Sequence, residues 1–169
     1  NGMLRVADGI ESLGAVIANT LLALHAHPEQ RRRLDADHGL VAAAVGEALR
    51  YDSPGQVIAR VARDDLELGG RQIKRDAAVF LALASANRDA AVFENPDRFD
   101  LDRDASALLS FGKGRHSCIG APLVRLQVEG ALKALLEAGV RVEADAASLA
   151  WKPRLGHRWL TALPVRLAG

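Results

Sequence analysis

The sequence predicts a helix-dominated α+β unit (α+β, mainly α), and three observations carry that expectation. Apolar residues return at helical spacing in three long stretches, roughly residues 3–26, 39–52 and 122–139. β-Branched residues gather instead in short runs between glycine and charged turns, over residues 56–80 and again after residue 140. No internal repeat or low-complexity linker divides the 169 residues, so a single unit is expected over 1–169.

Taken in order, Leu13, Val16, Ile17, Leu21 and Leu24 mark one face of the first helix. The chain runs from Asn1 straight into this spacing without a capping residue, which reads as a beginning in mid-element, as in a fragment. Pro28 suits the first turn of a second helix, and Glu29 beside it complements the helix dipole. Arg31, Arg32 and Arg33 form the solvated part of that element. Asp37 is placed to cap a third helix from about Gly39 to Asp52, which Pro54 ends. Small antiparallel strands are expected around Val57-Ile58, Leu66 to Leu68, Ile73 and Val79, with Gly69-Gly70 as a turn. Residues 81–87 suggest a short helix, and residues 88–103 a meander rich in Asn, Pro, Asp and Arg. Pro122 opens a strong amphipathic helix that Gly139 closes, and the tail alternates like further strands.

Composition removes several classes of function. With 49% hydrophobic residues the chain can bury a core, so wholesale disorder is not expected. The 22 basic and 21 acidic residues nearly cancel, and aromatics make up 4%, so no nucleic-acid partner is expected. The best apolar run, residues 16–26, is broken by Asn19, Thr20 and His25 and is too short for a bilayer, so no membrane partner is expected either. Asn1-Gly2-Met3-Leu4-Arg5 has no secretory pattern. One cysteine cannot form an internal disulfide, which fits a reducing, cytoplasmic setting.

That cysteine stands in the most specific segment of the chain, Phe111-Gly112-Lys113-Gly114-Arg115-His116-Ser117-Cys118-Ile119-Gly120. Three glycines around a histidine and a cysteine let the backbone pass close to something flat or bulky. Cys118 lies just before a helix whose first N–H groups favour a thiolate, the form that ligates metals. A lone cysteine is a poor structural zinc site, which wants four ligands, whereas haem needs one strong protein ligand and accepts thiolate. A buried cysteine at a helix start is the alternative reading of the same position.

The pattern Phe-Gly-x-Gly-x-His-x-Cys-x-Gly over residues 111–120 resembles the haem-binding signature of the cytochrome P450 family at every defined position. The resemblance implies the C-terminal part of the cytochrome P450 fold, with haem b bound through Cys118 and a cradle that includes Phe111, Gly112, His116 and Gly120. Glu47-Ala48-Leu49-Arg50 resembles the family's Glu-x-x-Arg pair, a spacing that puts both side chains on one helix face. Asn95-Pro96-Asp97-Arg98-Phe99 falls where the family places a third partner, so Glu47, Arg50 and Arg98 are expected to form a structural triad under the cysteine loop. Arg60 and His116 match positions that hold the haem propionates, where charge-assisted hydrogen bonds to carboxylates are needed. Asp8-Gly9-Ile10-Glu11-Ser12 resembles the oxygen-activation segment, with Glu11 and Ser12 in place of the usual acid and threonine. Serine keeps the hydroxyl needed for proton relay, and Gly9 lets the helix open near bound oxygen.

The resemblance therefore implies a haem-thiolate monooxygenase of soluble bacterial type acting on a small organic substrate, with this chain as a C-terminal portion inactive alone. Residues 73–76 depart from the turn usual in the family, and residues 54–56 leave the substrate open. No flavin or iron–sulfur motif is present, so electrons are expected from a ferredoxin or reductase. Lys113, Arg115 and Arg125 would attract an acidic partner, with solvated surface charge as the alternative. Apolar faces left open by the absent portion favour self-association. A haem-free, non-catalytic helper derived from such an enzyme is the contrasting expectation.

Overall fold

The computed structural model describes the backbone of residues 2–167 and the side chains of residues 11–167 apart from Ala146. Helix α1 spans Gly2–Ala26, α2 Pro28–Ala36 and α3 Val41–Tyr51. Strands β1 (Val57–Val61), β2 (Leu66–Leu68), β3 (Arg71–Ile73) and β4 (Ala78–Ala82) follow, then the one-turn helix α4 (Leu83–Ala86). After the meander come α5 (Ala121–Glu137), β5 (Val140–Val142) and β6 (Val165–Leu167).

Helices α1, α3 and α5 share one core. Leu24, Ala44, Val45 and Val128 are fully shielded, and Leu132 nearly so. Each large side chain removed from water in this way stabilises the fold by roughly 1.5–3 kcal/mol. The meander adds Phe99 and Leu101 to that core, which pins an otherwise irregular segment. Phe99 stacks on the His27 ring at 5.1 Å, and Tyr51 meets both rings edge-on at 5.3 and 5.4 Å. This aromatic cluster fixes the α1–α2 corner against the end of α3.

The strands form three antiparallel pairs, β1–β4, β2–β3 and β5–β6. In the first, Val57 faces Ala82 and Arg60 faces Val79. Gly69 and Gly70 take φ of 57° and 75°, the left-handed pair that a two-residue hairpin turn requires. The C-terminal turn is zipped onto the segment before β1. The Gly156 carbonyl accepts from Gln56 N at 2.8 Å, and Arg158 N donates to the Pro54 carbonyl at 2.9 Å. Gly156 has φ 73°, and a Cβ there would stand 3.1 Å from the Val57 carbonyl oxygen, so only glycine fits.

Two local expectations shift. Asp37 accepts from Gly39 N at 2.8 Å, but it caps a 3-10 turn over His38–Leu40, and the α-helix begins at Val41. The helix expected over residues 81–87 shrinks to α4, because Leu81 and Ala82 complete the ladder with Ile58 and Val57. Gly139 closes α5 as expected, with φ 66° and its N–H on the Leu136 carbonyl at 2.9 Å.

Candidate functional site

The site begins with a buried ion pair at the end of α3. A three-residue step puts Glu47 and Arg50 on one helix face, and both are fully buried. Arg50 donates a bidentate fork to Glu47, Nε to Oε2 at 2.7 Å and Nη2 to Oε1 at 2.8 Å. Its remaining N–H groups reach the carbonyls of Asn87, Pro96 and Arg98 at 2.8, 2.9 and 3.2 Å. The fork therefore ties the helix to the irregular meander, satisfying carbonyls that no ladder would satisfy.

The third arginine is not the expected one. Arg103 Nε donates to Glu47 Oε1 at 3.1 Å, and its side chain is 10% exposed. The Arg98 side chain is 62% exposed and lies 3.6 Å from Asp100. The reason is the turn itself. Arg98 N donates to the Asn95 carbonyl at 3.0 Å, and this turn points the Arg98 carbonyl, not the side chain, at Arg50 and Arg103. Arg98 thus serves the network through its backbone, and the side-chain triad is Glu47, Arg50 and Arg103.

From this network a polar chain runs to the cysteine loop. Asn87, fully buried, gives its carbonyl to Arg50 and its amide Nδ2 to Ser110 Oγ at 2.8 Å. Its Oδ1 accepts from Leu109 N at 2.7 Å, and Ser110 Oγ donates to the Leu49 carbonyl at 2.6 Å. Sequence reasoning missed Asn87, which has no motif around it; its only signal was a polar residue at the end of an apolar run. Phe111 follows directly, and its carbonyl accepts Cys118 N at 2.8 Å, closing the loop. Inside it Gly112 and Gly114 take φ of 69° and 78°. Gly120 differs: its φ is −82°, and a Cβ there would sit 3.7 Å from Cys118 Sγ. Its lack of a side chain beside the sulfur matters more than its backbone freedom.

Cys118 is exposed and opens onto a cleft of about 560 Å³, within the range of small-molecule sites. Phe111, Gly112 and His116 line it from the loop, Arg60 and Ile58 from β1, and Ser12 and Val16 from α1. The C-terminal turn adds Arg154, His157 and Trp159. Arg60 Nη1 reaches only the neighbouring Ala59 carbonyl, and among the described residues no carboxylate pairs with Arg60 or His116. Glu11 stands apart from the lining: it is exposed at the rim, its Oε2 held by Arg154 Nη1 at 2.7 Å. The side chains of Asp8, Gly9 and Ile10, and with them the opening expected at Gly9, lie outside the described residues. Of the cations near the loop, Lys113 and Arg115 are exposed, and the Arg125 guanidinium lies 5.4 Å over the Phe111 ring.

Among the described residues no three His, Cys, Asp or Glu side chains converge on one point, and Cys118 brings a thiol to a cleft that His116 and His157 also line. The sequence model of "Cytochrome P450" matches residues 35–138, which span the ion pair, the meander, the cysteine loop and α5. The chain belongs to the cytochrome P450 family.

Relatives within that family match across nearly the whole chain. The biotin biosynthesis cytochrome P450 of Bacillus subtilis (strain 168) is 40% identical over 157 residues, 93% of this chain and 40% of that protein. The cytochrome P450 monooxygenase PikC of Streptomyces venezuelae is 40% identical over 161 residues, 94% of this chain and 39% of its own length. The ligand-free P450 monooxygenase TamI superimposes with a TM-score of 0.93 at 36% identity, covering 98% of this chain and 41% of that structure. The fold is accordingly part of the P450 fold, mainly α with small sheets, and the chain spans about two-fifths of the relatives it matches. Among the described residues no helix is long and apolar enough to cross a membrane.

Proposed function

We propose that this chain is the haem-binding part of a cytoplasmic haem-thiolate monooxygenase, with Cys118 as the axial ligand. The observation that carries the reading is the meeting of an exposed thiol with two side-chain N–H donors, Arg60 and His116, in one cleft. The residues present suit haem b. A planar group with two carboxylates needs one thiolate, two N–H donors and apolar walls, and a lone thiol suits a metal whose other ligands come with its own ring. Gly120 puts no side chain beside the sulfur, and Gly112 and Gly114 take the left-handed conformations by which the loop turns toward Cys118. Arg60 and His116 would hold the carboxylates by charge-assisted hydrogen bonds.

Cys118, Arg60 and His116 would hold the haem, which would supply there the redox iron for dioxygen chemistry, with an electron-donating thiolate behind it. The remaining work falls to the chain. The Cys118 N–H on the Phe111 carbonyl closes the loop around the sulfur, and the Asn87–Ser110 chain holds the loop in place. Ser12 lines the cleft and passes protons inward, while Glu11, exposed at the rim, exchanges them with water. Val16, Ile58 and Leu83 offer apolar contact to a small organic substrate. Electrons come from a separate ferredoxin or reductase, drawn to the Lys113 and Arg115 side of the loop.

Haem retention tests the reading. In the intact protein that carries this chain, Arg60→Ala and His116→Ala should each speed haem transfer to an apoglobin acceptor by about tenfold, the worth of one charge-assisted contact. Unchanged transfer rates in both variants would remove the anchors from the account.

A further inference from the structure

The cleft holds more guanidinium and imidazole donors than two haem carboxylates require. Arg60, His116, Arg154 and His157 all line it, and no Asp or Glu does among the described residues. With two of these assigned to the haem carboxylates, an arginine and a histidine remain, both on the C-terminal turn. That turn carries Lys152, Arg154, His157 and Arg158 within seven residues. Arg158 is neutralised by Asp52 at 2.7 Å, and Glu11 meets only one N–H edge of Arg154.

The remaining donors of Arg154 are held, not free to swing. Its guanidinium lies 4.5 Å over the ring of the buried Trp159, and the His157 ring meets the same indole edge-on at 4.7 Å. Among the described residues Nε and the Nη2 of Arg154 have no hydrogen-bond partner. A guanidinium fixed on an aromatic wall with one edge unused is suited to a second carboxylate, bound by its planar fork. Glu11 sets the limit on this site, because a second anion beside it is repelled.

We propose, on the reading of the cleft given above, that Arg154 is a substrate-recognition residue selecting an organic acid. The carboxylate lies on the Nε–Nη2 edge of Arg154 with His157 beside it, and the apolar body lies along Val16, Ile58 and Leu83. Glu11 keeps the opposite edge and weakens the site by its charge.

Calorimetric titration of the haem-loaded intact protein with dodecanoate and with dodecan-1-ol tests this, since the two probes differ only in their head group. The unmodified protein should bind the acid about tenfold or more tightly than the alcohol. Arg154→Gln should erase that ratio and leave alcohol binding within about twofold. Glu11→Gln provides a second test that leaves the stacked arginine in place, and should strengthen acid binding alone. Equal binding of acid and alcohol, or a preference that survives Arg154→Gln, overturns the proposal. A protein that shows no thiolate-haem spectrum yet keeps an Arg154-dependent preference for the acid instead overturns the haem reading and leaves this one standing.

Discussion

Replacing Arg50 by alanine tests whether the Glu47–Arg50 pair holds the cysteine loop. The substitution removes a bidentate fork at 2.7 and 2.8 Å and strips donors from the Asn87, Pro96 and Arg98 carbonyls. Glu47 stays buried with only Asp100 N at 3.0 Å and Arg103 at 3.1 Å to hold its charge. Breaking a buried pair on one side costs about 3–5 kcal/mol. Against a total stability of about 5–15 kcal/mol that is a large share. Arg103→Ala leaves the main fork intact and should cost about 1–3 kcal/mol, as for a charged hydrogen bond lost. Arg98→Ala, whose side chain points outward, should stay within about 0.5 kcal/mol. Urea unfolding of the intact protein, read as midpoint shifts at constant slope, gives all three values. An Arg50→Ala loss under about 1 kcal/mol would return the pair to the class of exposed contacts. An Arg98→Ala loss equal to that of Arg103→Ala would contradict the assignment of the third arginine.

Three further outcomes are expected. Burial raises the Asp52 carboxyl above its ordinary value, outweighing the attraction of Arg158 at 2.7 Å. The folded protein therefore holds that proton more tightly than the unfolded chain, whose carboxyl titrates near 3.9, and stability from this group is gained as pH falls through the raised value and lost as pH rises. Melting temperatures of the intact protein and its Asp52→Asn variant at about pH 7 and 4.5 should show the unmodified protein gaining on the variant with acid; a shift the other way contradicts the sign. Residues 1–169 expressed alone should self-associate through exposed apolar side chains such as Ile119, Leu126 and Phe80, at 91%, 68% and 66% exposure. Given a surrogate redox system with NADPH and oxygen, that piece should consume reductant without oxygenated product, because an open cleft admits water; coupled oxygenation by a monomer would refute this.

The cysteine loop and the Glu47–Arg50 pair were legible in the sequence because both are local: a spacing of three or a run of ten residues defines them. The helices were legible for the same reason, each carrying its own apolar period. The third arginine was not. The meander has no period, and whether Arg98 or Arg103 faces Glu47 depends on a turn at residues 95–98 that directs a carbonyl inward. Asn87 escaped notice because its partners lie 22 to 37 residues away. The Glu11–Arg154 contact joins positions 143 residues apart, and no sequence pattern announces it. Strand β4 took the start of an expected helix because the register with β1 was worth more than the helix propensity of Leu81 and Ala82.

The central claim is that Cys118 is the thiolate ligand of a haem. Its most direct test is the absorption spectrum of the reduced intact protein under carbon monoxide, beside that of Cys118→Ser. The unmodified protein should show the strongly red-shifted Soret band of thiolate-ligated haem, and the variant should lose it. A variant that keeps the band, or an unmodified protein that never shows it when loaded with haem, would contradict the assignment.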